Sequence, residues 1–285
     1  MSTPLKARLL ALPHVRRALV SETVDSTNLV VAREIAGGGG PGTVAVAQRQ
    51  TAGRGRRGRR WADVPRGNVA LSIAVAMPPT GVELVPLAAA LALRDVLEGM
   101  ELATSLKWPN DVRLVVDGRP RKVAGILVEG HPGVTPPIAV VGIGIDVDWR
   151  RIERDAIELA GEPSVLPRGG WTSVAEASEA AGLADEVDRD DLVVAVVGAV
   201  EAQRRHLLED ASGVLADYRA ACATLGQQVR VDLGSRRFTG WATDLGPRGS
   251  LVVTTAHGRE LVAAGDVVHV RDVTAMQPGG TAETP

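Results

Sequence analysis

The chain reads as an α+β domain followed by a small all-β domain. Three observations carry this. Residues 85–100 and 191–208 are long segments with helical apolar spacing, the first rich in Ala and Leu. Between them lie apolar runs of strand length, at 106–108, 112–116, 123–129 and 138–146. From Gly226 the texture changes to short strands separated by turn residues.

The elements follow in order. Residues 1–22 read as a short helix leading into a strand. Asp25-Ser26-Thr27-Asn28 is a run of helix N-cap residues, and 29–36 is the helix it starts. Gly37 to Gly42 breaks the chain, and 43–48 is a buried strand. Residues 53–60 have nothing to bury and form a surface loop. Residues 69–76 are the next strand. Pro86 sits early in the 85–100 helix, where its missing N–H costs nothing. Asp117-Gly118 is a turn between two strands. A further helix covers 214–225. Then come strands at 228–233, 236–244, 250–255, 259–262 and 267–270, a set compatible with an SH3-like barrel. The polar, Pro- and Gly-rich residues 272–285 read as a disordered tail. The predicted division is 1–225, 226–271 and 272–285.

Composition sets outer limits. At 285 residues the chain can bury a sizeable core. It is 45% hydrophobic and 23% charged, as in globular proteins, and its net charge of −2 does not favour a polyanion partner for the whole surface. One cysteine, Cys222, permits no internal disulfide and fits a reducing compartment. Neither a signal peptide nor a membrane-length apolar run is read, so a cytoplasmic protein is expected. Only Lys6, Lys107 and Lys122 are lysines, so 29 of the 32 basic residues are arginines. Base composition accounts for the scarcity of lysine but not for where the survivors sit.

Three segments carry chemistry. Gly53-Arg54-Gly55-Arg56-Arg57-Gly58-Arg59-Arg60-Trp61 interleaves five arginines with three glycines. Guanidinium groups bind phosphate and carboxylate with two donors at once, and glycine lets backbone amides approach an anion. A nucleotide triphosphate suits such a loop. A nucleic acid does equally, on the loop alone. It is not a Walker A loop, because Gly-Lys-Ser/Thr is missing. In Lys107-Trp108-Pro109-Asn110-Asp111 a lysine ends an apolar stretch and Pro109 fixes a turn. In Lys122-Val123-Ala124-Gly125-Ile126-Leu127-Val128-Glu129 a lysine opens a strand, and Gly125 permits close backbone approach. Taken singly, these two also read as a solvated lysine beside a turn and as an ordinary edge strand.

In order, Asp25-Ser26-Thr27-Asn28, Gln50-Thr51-Ala52 with the arginine loop, Lys107 to Asp111, Lys122 to Glu129 and Gly142-Ile143-Gly144-Ile145-Asp146 closely resemble the biotin–[acetyl-CoA carboxylase] ligases. The resemblance covers about residues 20–271. It implies a class II synthetase-like catalytic domain, a mixed sheet flanked by helices, with the C-terminal β domain attached. One departure is Asp146, where the family commonly carries Asn. About twenty residues precede Ser26, too few for the helix-turn-helix that makes some members repressors, so no DNA binding is expected.

The implied reaction has two steps. Biotin carboxylate attacks the α-phosphate of ATP, and an acceptor lysine then takes biotin from the adenylate. ATP, biotin and Mg2+ are the small molecules, and a biotin carboxyl carrier protein is the partner. No membrane partner is implied, no metal ligands are identified, and members differ in oligomeric state. By resemblance, Lys107 and Arg54 are catalytic. Ser26, Thr27, Asn28, Gln50, Arg54, Gly55, Arg56 and Lys107 surround biotin. Arg54, Arg56, Trp61, Asn110, Asp111 and Lys122 serve the nucleotide. Helix capping is the competing role for Ser26 to Asn28. A lipoate ligase or octanoyltransferase is the related alternative, and a nucleic-acid-binding regulator is the unrelated one. For the C-terminal β domain two roles compete: covering an exposed edge, or docking the acceptor and holding the loop closed.

Overall fold

The computed structural model describes residues 3–61, 67–78, 81–150, 170–183, 187–263 and 266–269. The expected tail, 272–285, lies outside them.

Seven strands form the main sheet: β1 (Arg17–Val24), β2 (Thr43–Gln50), β3 (Asn68–Ala76), β4 (Thr104–Lys107), β5 (Asp111–Val116), β6 (Arg119–His131) and β7 (Ile138–Asp146). Their order is β1-β2-β3-β7-β6-β5-β4. β1 and β2 are parallel and the other pairs antiparallel, which makes the sheet mixed. The helices are α1 (Thr3–Leu10), α2 (Thr27–Ala36), α3 (Val85–Gly99), α4 (Val174–Ala180), α5 (Arg189–Glu209) and α6 (Ala211–Ala221). The two residues between β5 and β6, Asp117 and Gly118, both have positive φ, 51° and 71°. That is the backbone a two-residue hairpin turn requires. The helix expected over 214–225 ends earlier, at Ala221, because Cys222 turns to extended backbone (ψ 96°).

The two faces of the sheet have different work. Side chains of a strand alternate between faces. Leu71 and Ile73 of β3 and Val141, Ile143 and Ile145 of β7 point to the face covered by α3 and α5, whose buried Leu91, Leu93, Leu97, Val193, Val196 and Val197 complete the main core. α3 is apolar nearly all round, as a helix between a sheet and other helices must be. Truncating a buried leucine such as Leu91 costs about 2–5 kcal/mol. The opposite face carries Ala74 and Val140, and α2 lays Val31 and Ile35 on them. Beyond α2 that face is lined by Ser72, Gly142 and Gly144, and the site lies there.

The C-terminal strands are β8 (Gln228–Asp232), β9 (Arg237–Leu245), β10 (Leu251–Thr255), β11 (Gly258–Val262) and β12 (Asp266–His269). They pair antiparallel in the order β11-β10-β9-β8-β12, and no pairing closes them into a barrel among the described residues. Val229, Val231, Ala242, Leu251, Val253 and Val262 point inward and join the same hydrophobic core as the large sheet. The segment between α6 and β8 also covers the outer edge of β4: Leu106 and Cys222 form a parallel bridge, and the Ala223 N–H donates to Leu106 O at 2.8 Å.

Sequence reading missed α4. Its start was legible, since Ser173-Val174-Ala175-Glu176 has the capping-box spacing. In the structure the Ser173 hydroxyl takes the Glu176 N–H while Glu176 takes the Ser173 N–H.

Candidate active site

All twelve site residues picked from the sequence line one cavity of about 370 Å3 on the α2 face of the sheet: Ser26, Thr27, Asn28, Gln50, Arg54, Gly55, Arg56, Trp61, Lys107, Asn110, Asp111 and Lys122. They come from the β1–α2 junction, the end of β2, the arginine loop, the β4–β5 turn and the start of β6. The size suits a small ligand.

One end of the cavity is a closed polar network. The Thr27 N–H and hydroxyl both donate to Gln50 Oε1, at 2.8 and 3.2 Å. The Ser72 hydroxyl lies 2.7 Å from Thr27 Oγ1 and 2.6 Å from Asn28 Oδ1. The Asn28 amide donates to Glu129 Oε2 at 2.7 Å. The capping role is not filled by Ser26, which has extended backbone but makes no side-chain bond to the helix end. Gly142 is what lets Asn28 stand so close to the sheet, because a β-carbon there would collide with the Asn28 amide oxygen. Each buried polar atom of this network has a partner, which holds its donors and acceptors in place before any ligand arrives.

The other end is aromatic and charged. Trp61 lies on the sheet over Gly125 and Gly144, which face each other in register. A β-carbon on either would run into its ring, 2.7 Å from Cζ3 in the case of Gly125. Trp171 meets Trp61 edge-on, with centroids 6.0 Å apart, and stacks on Trp149. The Lys122 ammonium sits over both, 4.7 Å from the Trp171 centroid and 5.5 Å from that of Trp61. It also pairs with Asp111 at 2.5 Å. Below them Asp146 is wholly buried. Burial pushes its carboxyl well above the ordinary range, nearby Lys122 opposes that, and Glu176 adds to it. Neither Asp146 Oδ2 nor Trp61 Nε1 has a hydrogen-bond partner in the structure.

The arginine loop arches between these ends. It closes on itself through Gly55 N–H to Arg59 O and Trp61 N–H to Gly53 O. Arg54 pairs with Glu129 at 3.0 Å, Arg56 donates to Asn110 Oδ1 at 3.3 Å, and Arg60 donates to Thr51 O at 2.9 Å. Arg57, with φ at 57°, reaches across to Asp232 O in β8 at 2.8 Å. Val267 and Val268 of β12 complete the cavity wall. The segment before the C-terminal sheet covers the β4 edge, while β8 and β12 of that sheet touch the loop and the cavity.

Lys107 ends β4, opposite Asp111. Trp108 beside it is almost wholly buried, and its indole N–H donates to Gly249 O at 2.9 Å. The Trp108–Pro109 bond is cis. Asn110 donates to Ile126 O at 3.1 Å.

Sequence reasoning did not single out Ser72, Trp171, Gly142 and Gly144 for the site, or Glu129, which pairs with Arg54 and Asn28. The glycines carried a signal: two of them alternate on a strand and leave a flat strip on one face. Ser72 and Trp171 carried none.

The site and fold place the chain in a class, and the comparisons agree. A model of the biotin/lipoate A/B protein ligase family matches residues 20–146, and one of the biotin protein ligase C-terminal domain matches residues 224–270. The chain belongs to the biotin protein ligase family. It is 33% identical to the biotin–[acetyl-CoA-carboxylase] ligase of Mycobacterium tuberculosis over 89% of this chain and 88% of that one. It is 31% identical to the enzyme of the same name from Paracoccus denitrificans, over 85% and 96%. Among solved structures it resembles the Aquifex aeolicus biotin protein ligase in complex with biotin and ATP. The TM-score is 0.68 and the identity 27%, over 89% of this chain and 98% of that one. No helix among the described residues is long and apolar enough to cross a membrane.

Proposed function

We propose that this chain joins biotin to a lysine of a biotin carboxyl carrier protein in the cytoplasm, through biotinyl-5'-AMP. The observation behind this reading is that a satisfied polar network, a lysine and an arginine loop share one cavity. The ureido ring of biotin has donors and acceptors on one rim. It matches the end formed by Ser26, Thr27, Asn28 and Gln50. The nucleotide takes the end walled by Trp61 and Lys122, with Asn110 and Asp111 at its side.

In the first step the carboxylate of biotin attacks the α-phosphorus of ATP and pyrophosphate leaves. An anion meets a polyanion, so positive charge must be supplied where negative charge builds up. Lys107 supplies it between the two groups, as a compact ammonium that touches both. Arg54, Gly55 and Arg56 close over the biotin and the phosphates, and this also keeps water from the mixed anhydride. Mg2+ bound to the triphosphate would neutralise part of its charge. Among the described residues there is no cluster of three metal-ligating side chains, and Asp111 is the only carboxylate lining the cavity. This donor set suits a metal held mainly by phosphates. In the second step the acceptor's lysine amine attacks the carbonyl carbon of the adenylate and AMP leaves.

The test is pyrophosphate release by the purified chain with ATP, Mg2+ and biotin. Calorimetry with biotin, lipoate and a DNA duplex runs beside it. Biotin-dependent release and biotin binding alone support the reading. Preference for lipoate, or tight binding to DNA, replaces it with one of the alternatives.

A further inference from the structure

Lys107 is held from outside the catalytic sheet. It ends an edge strand, a weak place from which to aim a charge, because one side of β4 has no neighbouring strand of the sheet. The segment leading into the C-terminal sheet fills that side. Leu106, before Lys107, bonds through its carbonyl to the Ala223 N–H at 2.8 Å. Trp108, after it, donates its backbone N–H to Thr224 Oγ1 at 3.0 Å. Thr224 is fully buried. Its hydroxyl has a second partner, the Nε2 atom of buried His269 on β12, at 3.2 Å. The Trp108 indole is bonded to Gly249 in the β9–β10 turn. Both neighbours of Lys107 are thus tied to the C-terminal half of the chain, and the tie nearest the turn is a single buried hydroxyl.

We propose that Thr224, backed by His269, is a positioning residue for Lys107. It fixes the backbone at the β4–β5 turn so that the ammonium stays where the carboxylate and α-phosphate meet. This rests on the role given to Lys107 above. The physical basis is that a buried N–H left without its acceptor pulls the backbone toward another partner, and a shift well under 1 Å in a charge-stabilising group is felt in rate rather than in substrate affinity. A tether that only supports the fold changes stability and leaves the turnover of the folded fraction alone.

The experiment uses the full chain. Thr224→Val keeps shape and removes the hydroxyl, and Thr224→Ser keeps the hydroxyl. Pyrophosphate release is measured with ATP and biotin varied. For Thr224→Val the expected result is a fall in kcat of about tenfold with KM for biotin within about twofold, and recovery in Thr224→Ser. Each change is also made in Lys107→Ala. If Thr224 acts through Lys107, Thr224→Val costs nothing further there. An equal loss in both backgrounds overturns the proposal, and so does wild-type kcat in Thr224→Val. If Thr224→Val melts below the assay temperature, His269→Leu is read in the same cycle. It removes the His269 partner of the Thr224 hydroxyl and leaves the hydroxyl in place, and a fall of about threefold that vanishes with Lys107→Ala is expected. A fall that persists in Lys107→Ala, or no fall at all, overturns the proposal. The underlying role of Lys107 fails separately, if Lys107→Ala by itself releases pyrophosphate at the normal rate.

Discussion

The two ends of the cavity are built on opposite plans. At the end formed by Thr27, Asn28, Gln50 and Ser72, every side chain is buried and bonded, and the group sits on a helix start and two central strands. At the other end are exposed arginines, an ion pair between Lys122 and Asp111, and two buried polar atoms without partners, Trp61 Nε1 and Asp146 Oδ2. The first end can recognise a ligand without moving. The second has bonding capacity left over, and it is spanned by a loop whose glycines permit rearrangement. The difference suits the proposed placement of the two substrates, one small and neutral at its head, the other a polyanion whose charge the loop would meet. It also makes distinct predictions for the two ends.

The largest effect belongs to the residue between them. Lys107→Ala is expected to slow adenylate formation by about a thousandfold, the scale seen when a charge-stabilising donor is removed. Biotin affinity is expected to stay within a few-fold, because the ammonium acts where charge develops. Single-turnover pyrophosphate release and calorimetry with biotin measure the two quantities. Near-normal release rules out the role.

Next comes the bonded end. Gly142→Ala places a methyl group against the Asn28 amide, whose three bonded neighbours, Leu127 O, Glu129 and Ser72, leave it no room to yield. Overpacking costs about 1–3 kcal/mol, so biotin affinity is expected to drop by about tenfold to a hundredfold. ATP affinity should hardly change. An equal loss for both ligands, measured by calorimetry, contradicts the separation of the two ends.

Each end was legible in the sequence in part, and what was missed at each has a physical reason. Locally, Ser26, Thr27 and Asn28 read as a helix start, and only the resemblance to the biotin ligases marked them and Gln50 as site residues. The central strands and long helices were legible through apolar period. Trp171 and Asp146 act through position alone. Trp171 joins the site because the chain returns along Lys122, with the Thr172 N–H donating to Lys122 O at 2.8 Å. No local pattern announces such a return. The same holds for Thr224, whose partner Trp108 is 116 residues away. The C-terminal strands were legible from their turns, but their sharing of one core with the large sheet was not, because alternation shows which side chains point inward and not what they meet.

The loop gives the third prediction. Arg56→Ala removes the donor to Asn110 and, in the proposed role of the loop, one cation for the phosphates. A hydrogen bond to a charged group contributes about 1.5–3 kcal/mol, so biotinyl-adenylate is expected to leave the site at least about tenfold faster. Biotin binding alone should be little affected. Amide hydrogen exchange over residues 53–60 is expected to slow sharply with adenylate and little with biotin. Equal protection in the free and adenylate-bound states removes the idea that the loop closes on the nucleotide.

The smallest expected effect tests the unfinished end in the absence of any ligand. Asp146 is raised above the ordinary carboxyl range chiefly by burial, against the pull of Lys122 and with the push of Glu176. A folded-state value above the unfolded one means that the folded protein binds the proton more tightly. Stability from this group is then fully present at pH below the unfolded value, near 4, and is lost as pH rises through the folded value. Asp146→Asn has the same shape and cannot ionise. The variant and the parent should therefore melt alike near pH 4, and the variant should gain as pH rises. Because the carboxylate is buried with one oxygen unpartnered, the gain is expected to be about 1–2 kcal/mol. For a chain of this size that is a rise in Tm of roughly 2–8 °C. Melting curves of both proteins from pH 4 to 9 decide it. A constant gap across that range means that the carboxyl does not titrate differently on folding. A parent that gains on the variant as pH rises means that the carboxylate has found a cation, most simply Lys122, and that this end of the cavity is already complete without the nucleotide.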